Sequence, residues 1–358
     1  MDIPLSILDL APIGPGETAR KTFAASVDLA RLAEERGYRR VWYAEHHNMP
    51  SIASSATSVL IAHVAAHTST IRLGAGGVML PNHAPLAVAE QFAVLEAAFP
   101  GRIDLGIGRA PGSDPVTSHM LRSGAAPGAD PVDTFPDDVR DTVELMSPEG
   151  MVLDLGGRSY PLRATPRAVS APQTWLLGSS MYSARLAAAL GLPYVFAHHF
   201  AGQGTREAMQ VYRAEFRPSE HLAEPTTFGI INAVVAETAE EAERRALPYV
   251  RSMIRLRTGQ GLDPQELVED AEREGILPQH AGVAQAIRAS WAVGTPEVAA
   301  AKIRELAATV GTDEIMISPV SSAYVGSDPR RVVTREETLR LLAGALLPGH
   351  AAVSKHTL

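Results

Sequence analysis

The chain contains no cysteine. Disulfides, thiolate metal sites and cysteine nucleophiles are therefore excluded together. There is no run of about 18 apolar residues, so nothing reads as a membrane-spanning helix. The N-terminus, Met1-Asp2-Ile3-Pro4, lacks a basic region, and residues 3–10 are too short and interrupted for a signal peptide. A cytoplasmic protein is the expectation. Clustered lysine and arginine are missing as well: 32 basic against 40 acidic residues leave a formal charge of −8, spread along the chain. That distribution argues against a nucleic-acid footprint. Three nucleotide and nucleophile motifs are also absent. Gly106-x-Gly108 runs into Pro111, so the dinucleotide glycine fingerprint is not completed, and neither a Walker A loop nor a G-x-S-x-G elbow occurs.

What remains is an ordinary globular composition, 46% hydrophobic and 20% charged over 358 residues. That length accommodates an α/β barrel of about 250 residues with insertions. Short β-rich apolar runs alternate with longer helical stretches. Strands are expected at 3–10, 41–44, 71–80, 102–108, 174–177, 194–197, 228–235 and 314–318. Each is followed by a helical pattern, among them 20–36, ended by Gly37, and 182–190, ended by Gly191. Eight strand–helix units predict a closed (β/α)8 barrel rather than a doubly wound sheet. Residues 158–172 and 256–296 fall outside the rhythm. The second of these, between the seventh and eighth strands, is placed where barrels carry lids. Residues 1–347 are expected to form one domain, with 348–358 as a frayed tail.

In a barrel the site lies at the C-terminal ends of the strands. Those positions hold Glu45-His46-His47-Asn48, the glycines 74, 76 and 77 leading to Pro81-Asn82-His83, Arg109, Gly178-Ser179-Ser180, and His198-His199. Glycines inside a strand permit close approach of a flat ligand, or simply tight barrel packing. A serine pair before a helix can bind phosphate through free N–H groups, or can be an ordinary N-cap. Arg109 could add a charge-assisted contact to an anion there. Adjacent histidines on an extended chain point to opposite sides. The spacing therefore favours proton transfer over metal ligation, and a metal-dependent barrel hydrolase is disfavoured.

Several stretches taken in order resemble the luciferase-like flavin-dependent oxidoreductase family. They are Tyr43-Ala44-Glu45-His46-His47-Asn48, the segment 71–85 with Gly74-Ala75-Gly76-Gly77 and Pro81-Asn82-His83, the segment 99–112, and Glu90-Gln91 between them. The likeness recurs at 175–180 and 191–197. It implies that His46 serves proton transfer beside a flavin, with His47 as a helper. It implies that Gly76 and Gly77 lie under the isoalloxazine ring, and that Arg109, Ser179, Ser180 and Tyr182 form the FMN phosphate site. Residues 256–296 match the loop that closes over the site. Gly108 stands where luciferase has a reactive cysteine, which puts light emission from a long-chain aldehyde in doubt.

The resemblance further implies a two-component monooxygenase, FMN-dependent, acting with O2 on a small organic substrate and pairing as a homodimer. Reduced FMN would come from a separate NAD(P)H:flavin reductase, since no NAD(P)H fingerprint is present. A deazaflavin-dependent hydride-transfer enzyme and a non-catalytic flavin-binding protein are the alternatives.

Overall fold

The computed structural model describes residues 3–110, 112–122, 132–260, 263–312, 314–328 and 331–347. The tail expected at 348–358 lies outside the described residues. The strands are β1 (Leu5–Asp9), β2 (Arg40–Tyr43), β3 (Arg72–Met79), β4 (Ile103–Gly108), β5 (Met151–Asp154), β6 (Ser159–Leu162), β7 (Gln173–Gly178), β8 (Tyr194–Phe196), β9 (Thr227–Val235), β10 (Ala292–Gly294) and β11 (Ile315–Pro319). The order β1-β2-β3-β4-β7-β8-β9-β11 closes on itself, because β11 pairs with β1 (Leu5↔Ile315) and β8 with β9 (Tyr194↔Thr227). All eight strands of that ring are parallel. The (β/α)8 expectation holds.

Alternation along each strand decides which residues fill the barrel. Leu8, Trp42, Trp175, Leu177, Val195, Phe228, Ile230 and Met316 form the interior cluster. Their neighbours in sequence, such as Ile7, Val41 and Ile317, face the helices in the outer core. Both faces are covered, so the strands read as continuous apolar runs. Gly37 (φ 77°) and Gly191 (φ 61°) end helices Ala19–Glu35 and Met181–Leu190 in the left-handed region, as expected of those positions.

The N-terminal end of the barrel is plugged by charge. Arg40 reaches Asp104 at 2.9 Å and Glu314 at 3.3 Å, and Trp42 Nε1 donates to Asp104 at 2.9 Å. Arg72 adds a 2.5 Å pair to Asp104, and Ser6 donates to Glu314 at 2.7 Å. Every charge there has its opposite. The open chemistry must lie at the other end.

Several elements were not anticipated. Residues 151–162 form an antiparallel hairpin, β5–β6, turning through Gly156 and Gly157 at φ 66° and 84°. A long helix, Pro296–Val310, precedes β11 and packs Leu306 and Val310 over Gly229 of β9. The described residues of the 256–296 segment are themselves built: they hold helices Val268–Glu274 and Ala281–Ala289 and the short strand β10, which pairs with β9 (Ala292↔Ala233). Gln265 N donates to Ile13 O at 3.0 Å and Val268 N to Ala323 O at 3.0 Å. The segment thus spans the C-terminal rim from the loop after β1 to the loop after β11, and Arg251 pins it through Glu266 at 2.7 Å. Among the described residues no helix is long and apolar enough to cross a membrane.

Candidate active site

The chain leaving β2 separates the two histidines, as adjacent extended residues must. His47 Nε2 lies 2.7 Å from Glu45 Oε1, and His83 Nε2, delivered by the loop after the neighbouring β3, lies 2.8 Å from the same oxygen. Met79 N donates to Glu45 Oε2 at 3.2 Å. Burial alone would raise the Glu45 pKa; the two imidazole contacts outweigh it and bring the carboxyl down to about 2. Glu45, His47 and His83 also gather three donor atoms within 4.8 Å of one another, a metal-like cluster. Contacts of hydrogen-bond length to one shared oxygen account for the cluster without an ion.

His46 goes elsewhere. Its Nδ1 sits 3.4 Å from Gly112 O, and burial lowers its pKa below the ordinary 6.5. Donation from Nδ1 to that carbonyl assigns the proton to Nδ1 and leaves Nε2 as an acceptor. Of the two sequence candidates, His46 is therefore the one held as a neutral ring, and His47 is part of a carboxylate-anchored pair.

Gly76 and Gly77 sit where β3 shifts register against β4 between Ala75 and Val78, and the peptide joining them is cis. A Cβ on Gly76 would come 2.8 Å from Leu8 Cδ1 and 3.0 Å from Trp42 Cβ. One on Gly77 would come 2.8 Å from the carbonyl oxygen of Gly106. Packing inside the barrel is thus enough to require glycine at both positions.

Next in the ring, the Arg109 guanidinium stacks 4.2 Å from the centroid of the Tyr182 ring. Tyr182 belongs to the first turn of helix Met181–Leu190, whose N-cap is Ser180. The Ser180 hydroxyl makes no capping bond, and Ser179 and Ser180 are both exposed. The ordinary-N-cap reading therefore does not describe Ser180. Gly178 is needed just before them, because a Cβ there would meet Ser183 Oγ at 2.2 Å. One cation, an aromatic face and a helix N-terminus with spare hydroxyls share one edge of the mouth.

The far side of the mouth was visible in the sequence only as a histidine pair. His198 Nδ1 bonds Thr205 Oγ1 at 2.7 Å, and the His199 carbonyl accepts from Asn232 Nδ2 at 2.9 Å. Burial, helped by nearby His198 and His46, pushes the His199 pKa down to about 3. A histidine held neutral when folded but free to ionise when unfolded stabilises the fold fully above pH 6.5. That stability is lost as pH falls from 6.5 towards about 3, at about 1.4 kcal/mol per unit. Glu45 works in the same direction between 4.5 and about 2. His199→Gln is expected to flatten the decline in melting temperature between pH 6.5 and 4.5. An unchanged slope would show that His199 is already ionised in the fold.

Known proteins share this sequence pattern and barrel. The luciferase-like monooxygenase family profile matches residues 3–313. The chain belongs to that family. A luciferase-like monooxygenase of Escherichia coli K12 is 43% identical over 316 residues, covering 88% of this chain and 91% of its own. The crystal structure of apo-MsnO8 superposes with a TM-score of 0.83 at 33% identity, covering 96% of this chain and 98% of that one. Two remoter members of the fold show the architecture alone. They are the FMN complex of the oxygenating constituent of 3,6-diketocamphane monooxygenase from Pseudomonas putida (TM-score 0.71, 20% identity; 98% and 99% covered) and the F420-dependent tetrahydromethanopterin reductase of Methanopyrus kandleri (0.65, 15%; 97% and 99%). As a luciferase-like monooxygenase the chain is an oxidoreductase.

Proposed function

We propose that this luciferase-like protein is the oxygenating component of a two-component monooxygenase, taking reduced FMN from a separate NAD(P)H:flavin reductase and oxidising a small organic substrate with O2. The observation that carries this is the edge where Arg109 stacks on Tyr182 beside the uncapped Ser180. It supplies a cation, free backbone N–H groups and spare hydroxyls for a single phosphate monoester. Reduced FMN, when bound, would supply the electrons that activate oxygen.

The remaining work falls to the chain. Arg109, Ser179, Ser180 and Tyr182 hold the phosphate. Gly76 and Gly77 keep the barrel floor flat beneath the ring. The Nε2 atom of neutral His46 accepts and returns the proton that the oxygen chemistry requires. Glu45 and His83 fix the His47 ring, so that His47 orients the loop carrying His46. The 256–296 segment covers the rim and keeps water out.

Anaerobic titration with reduced and oxidised FMN and with riboflavin, followed through protein fluorescence, tests the reading. Arg109→Ala is expected to weaken FMN binding roughly 10–100-fold, the worth of a charge-assisted contact, while riboflavin affinity stays put. Equal losses for both flavins would remove Arg109 from the phosphate. The fold also carries F420-dependent hydride transfer. Failure of FMN to bind, together with binding of F420 and turnover without oxygen uptake, would make that second reading the correct one.

A further inference from the structure

Three polar atoms at the barrel mouth are sealed from solvent and have no hydrogen-bond partner among the described residues: Asn232 Oδ1, Ser318 Oγ and His199 Nδ1. A buried polar atom without a partner is costly, and three gathered at the open end of the barrel call for a partner the chain does not supply. Asn232 and Ser318 are 2% and 1% exposed. They are direct neighbours across the β9–β11 ladder. Both continue the inward-facing series, Phe228 and Ile230 on β9 and Met316 on β11. Asn232 and His199 are linked through the 2.9 Å bond from Nδ2 to the His199 carbonyl. The three residues therefore follow one another along β11, β9 and the segment after β8. Ser318 also lines a cavity shared with Leu8, Leu10, Tyr249 and Gln265.

The row has a readable polarity. Because Asn232 Nδ2 is engaged by a carbonyl, the amide cannot be flipped without setting two oxygens face to face, so its free atom is an acceptor. Ser318 can donate, and a neutral His199 ring can carry its proton on Nδ1. No unpaired charge joins them: Arg335, at the same cavity, is held by Asp9 at 2.6 Å. Donor, acceptor, donor is the complement of a neutral imide edge, in which an N–H stands between two carbonyls.

We infer that this row receives the pyrimidine edge of an isoalloxazine ring, with Asn232 Oδ1 accepting from N3–H and Ser318 and His199 donating to the flanking carbonyls. The inference rests on the flavin reading above and extends it. The phosphate end lies at β4 and β7, and the ring crosses the mouth to β9 and β11.

The test compares oxidised FMN with 3-methyl-FMN, whose N3 cannot donate, by fluorescence titration of the native protein, Asn232→Ala and Arg109→Ala. The native protein is expected to prefer FMN by roughly 10–100-fold, since methylation removes the bond and leaves a buried acceptor unpaired. Asn232→Ala should bind both flavins alike. Arg109→Ala should weaken both equally and keep the preference. Equal binding of the two flavins by the native protein would overturn the inference while leaving the phosphate site standing. Binding of neither, in the oxidised form or anaerobically in the reduced form, would overturn the FMN reading, and the inference with it. Asn232→Asp offers a check that does not rely on a truncated side chain: a carboxylate beside the imide should lower the reduction potential of bound FMN. An unchanged potential would place Asn232 away from the ring.

Discussion

His46→Ala is expected to reduce turnover by roughly 10²–10⁴-fold, the contribution typical of a positioned proton donor or acceptor, with oxidised FMN affinity held within a few-fold. The case for His46 over His47 is electrostatic. His47 is committed to Glu45 at 2.7 Å, and that carboxylate is kept ionised by two imidazoles. His46 has only a 3.4 Å contact through Nδ1, and burial keeps its ring neutral at physiological pH. A neutral ring with a free Nε2 can take a proton; one locked onto a carboxylate is poorly placed to do so. Oxygen uptake with reduced FMN supplied by a flavin reductase would give the comparison, with His47→Ala alongside. The second variant should fall less, because His83 still holds Glu45 at 2.8 Å. Native turnover in His46→Ala with a large loss in His47→Ala would transfer the proton role to the carboxylate-anchored pair.

The barrel was legible because its strands are buried on both faces and so stand out as uninterrupted apolar runs between glycine and proline. The helix Pro296–Val310 escaped notice although its buried positions repeat at helical spacing; three of them, Ala299, Ala300 and Ala307, are alanines, which stand out less than the Ile303, Leu306 and Val310 between and after them. The β5–β6 hairpin escaped for another reason: none of its residues is fully buried, and Val152 and Tyr160 are exposed, so it carries no apolar run. His46, Arg109 and Ser180 were legible because each stands just beyond the C-terminal end of a strand, where a barrel gathers its site. The partnership of Glu45 with His83 was not, since it depends on β2 and β3 lying side by side. A cue existed, however, in the position of His83 just after the strand next in the ring. Asn232 and Ser318 were hidden inside runs that read as apolar, and only the β9–β11 register sets them next to each other. Gly76 and Gly77 show a different limit. Sequence left ring contact and packing equally open, and the structure shows that packing suffices.

Asp104→Ala should cost about 3 kcal/mol or more of folding stability, the scale seen when one partner of a buried ion pair is removed. Asp104 is fully buried and accepts from Arg40 at 2.9 Å, from Trp42 Nε1 at 2.9 Å and from Arg72 at 2.5 Å. Its loss strands an indole N–H and removes the carboxylate that Arg40 and Arg72 share. Arg40 keeps Glu314, and Arg72, about a quarter exposed, can turn towards solvent. These escapes hold the expected loss near the lower end of the 3–5 kcal/mol range. Typical domains are stable by only about 5–15 kcal/mol, so even that would displace the urea midpoint by a large fraction of its value. Unfolding can be followed through Trp42 and Trp175, which pack in the same interior cluster. The Arg40 guanidinium also lies 5.0 Å from the Trp175 ring, so the variant's native-state emission should change before unfolding begins. FMN affinity should not change at temperatures where the variant is folded, because the plug closes the end of the barrel opposite the mouth. A loss under about 1 kcal/mol would mean that water solvates Arg40 from below and that the plug is weaker than its geometry implies.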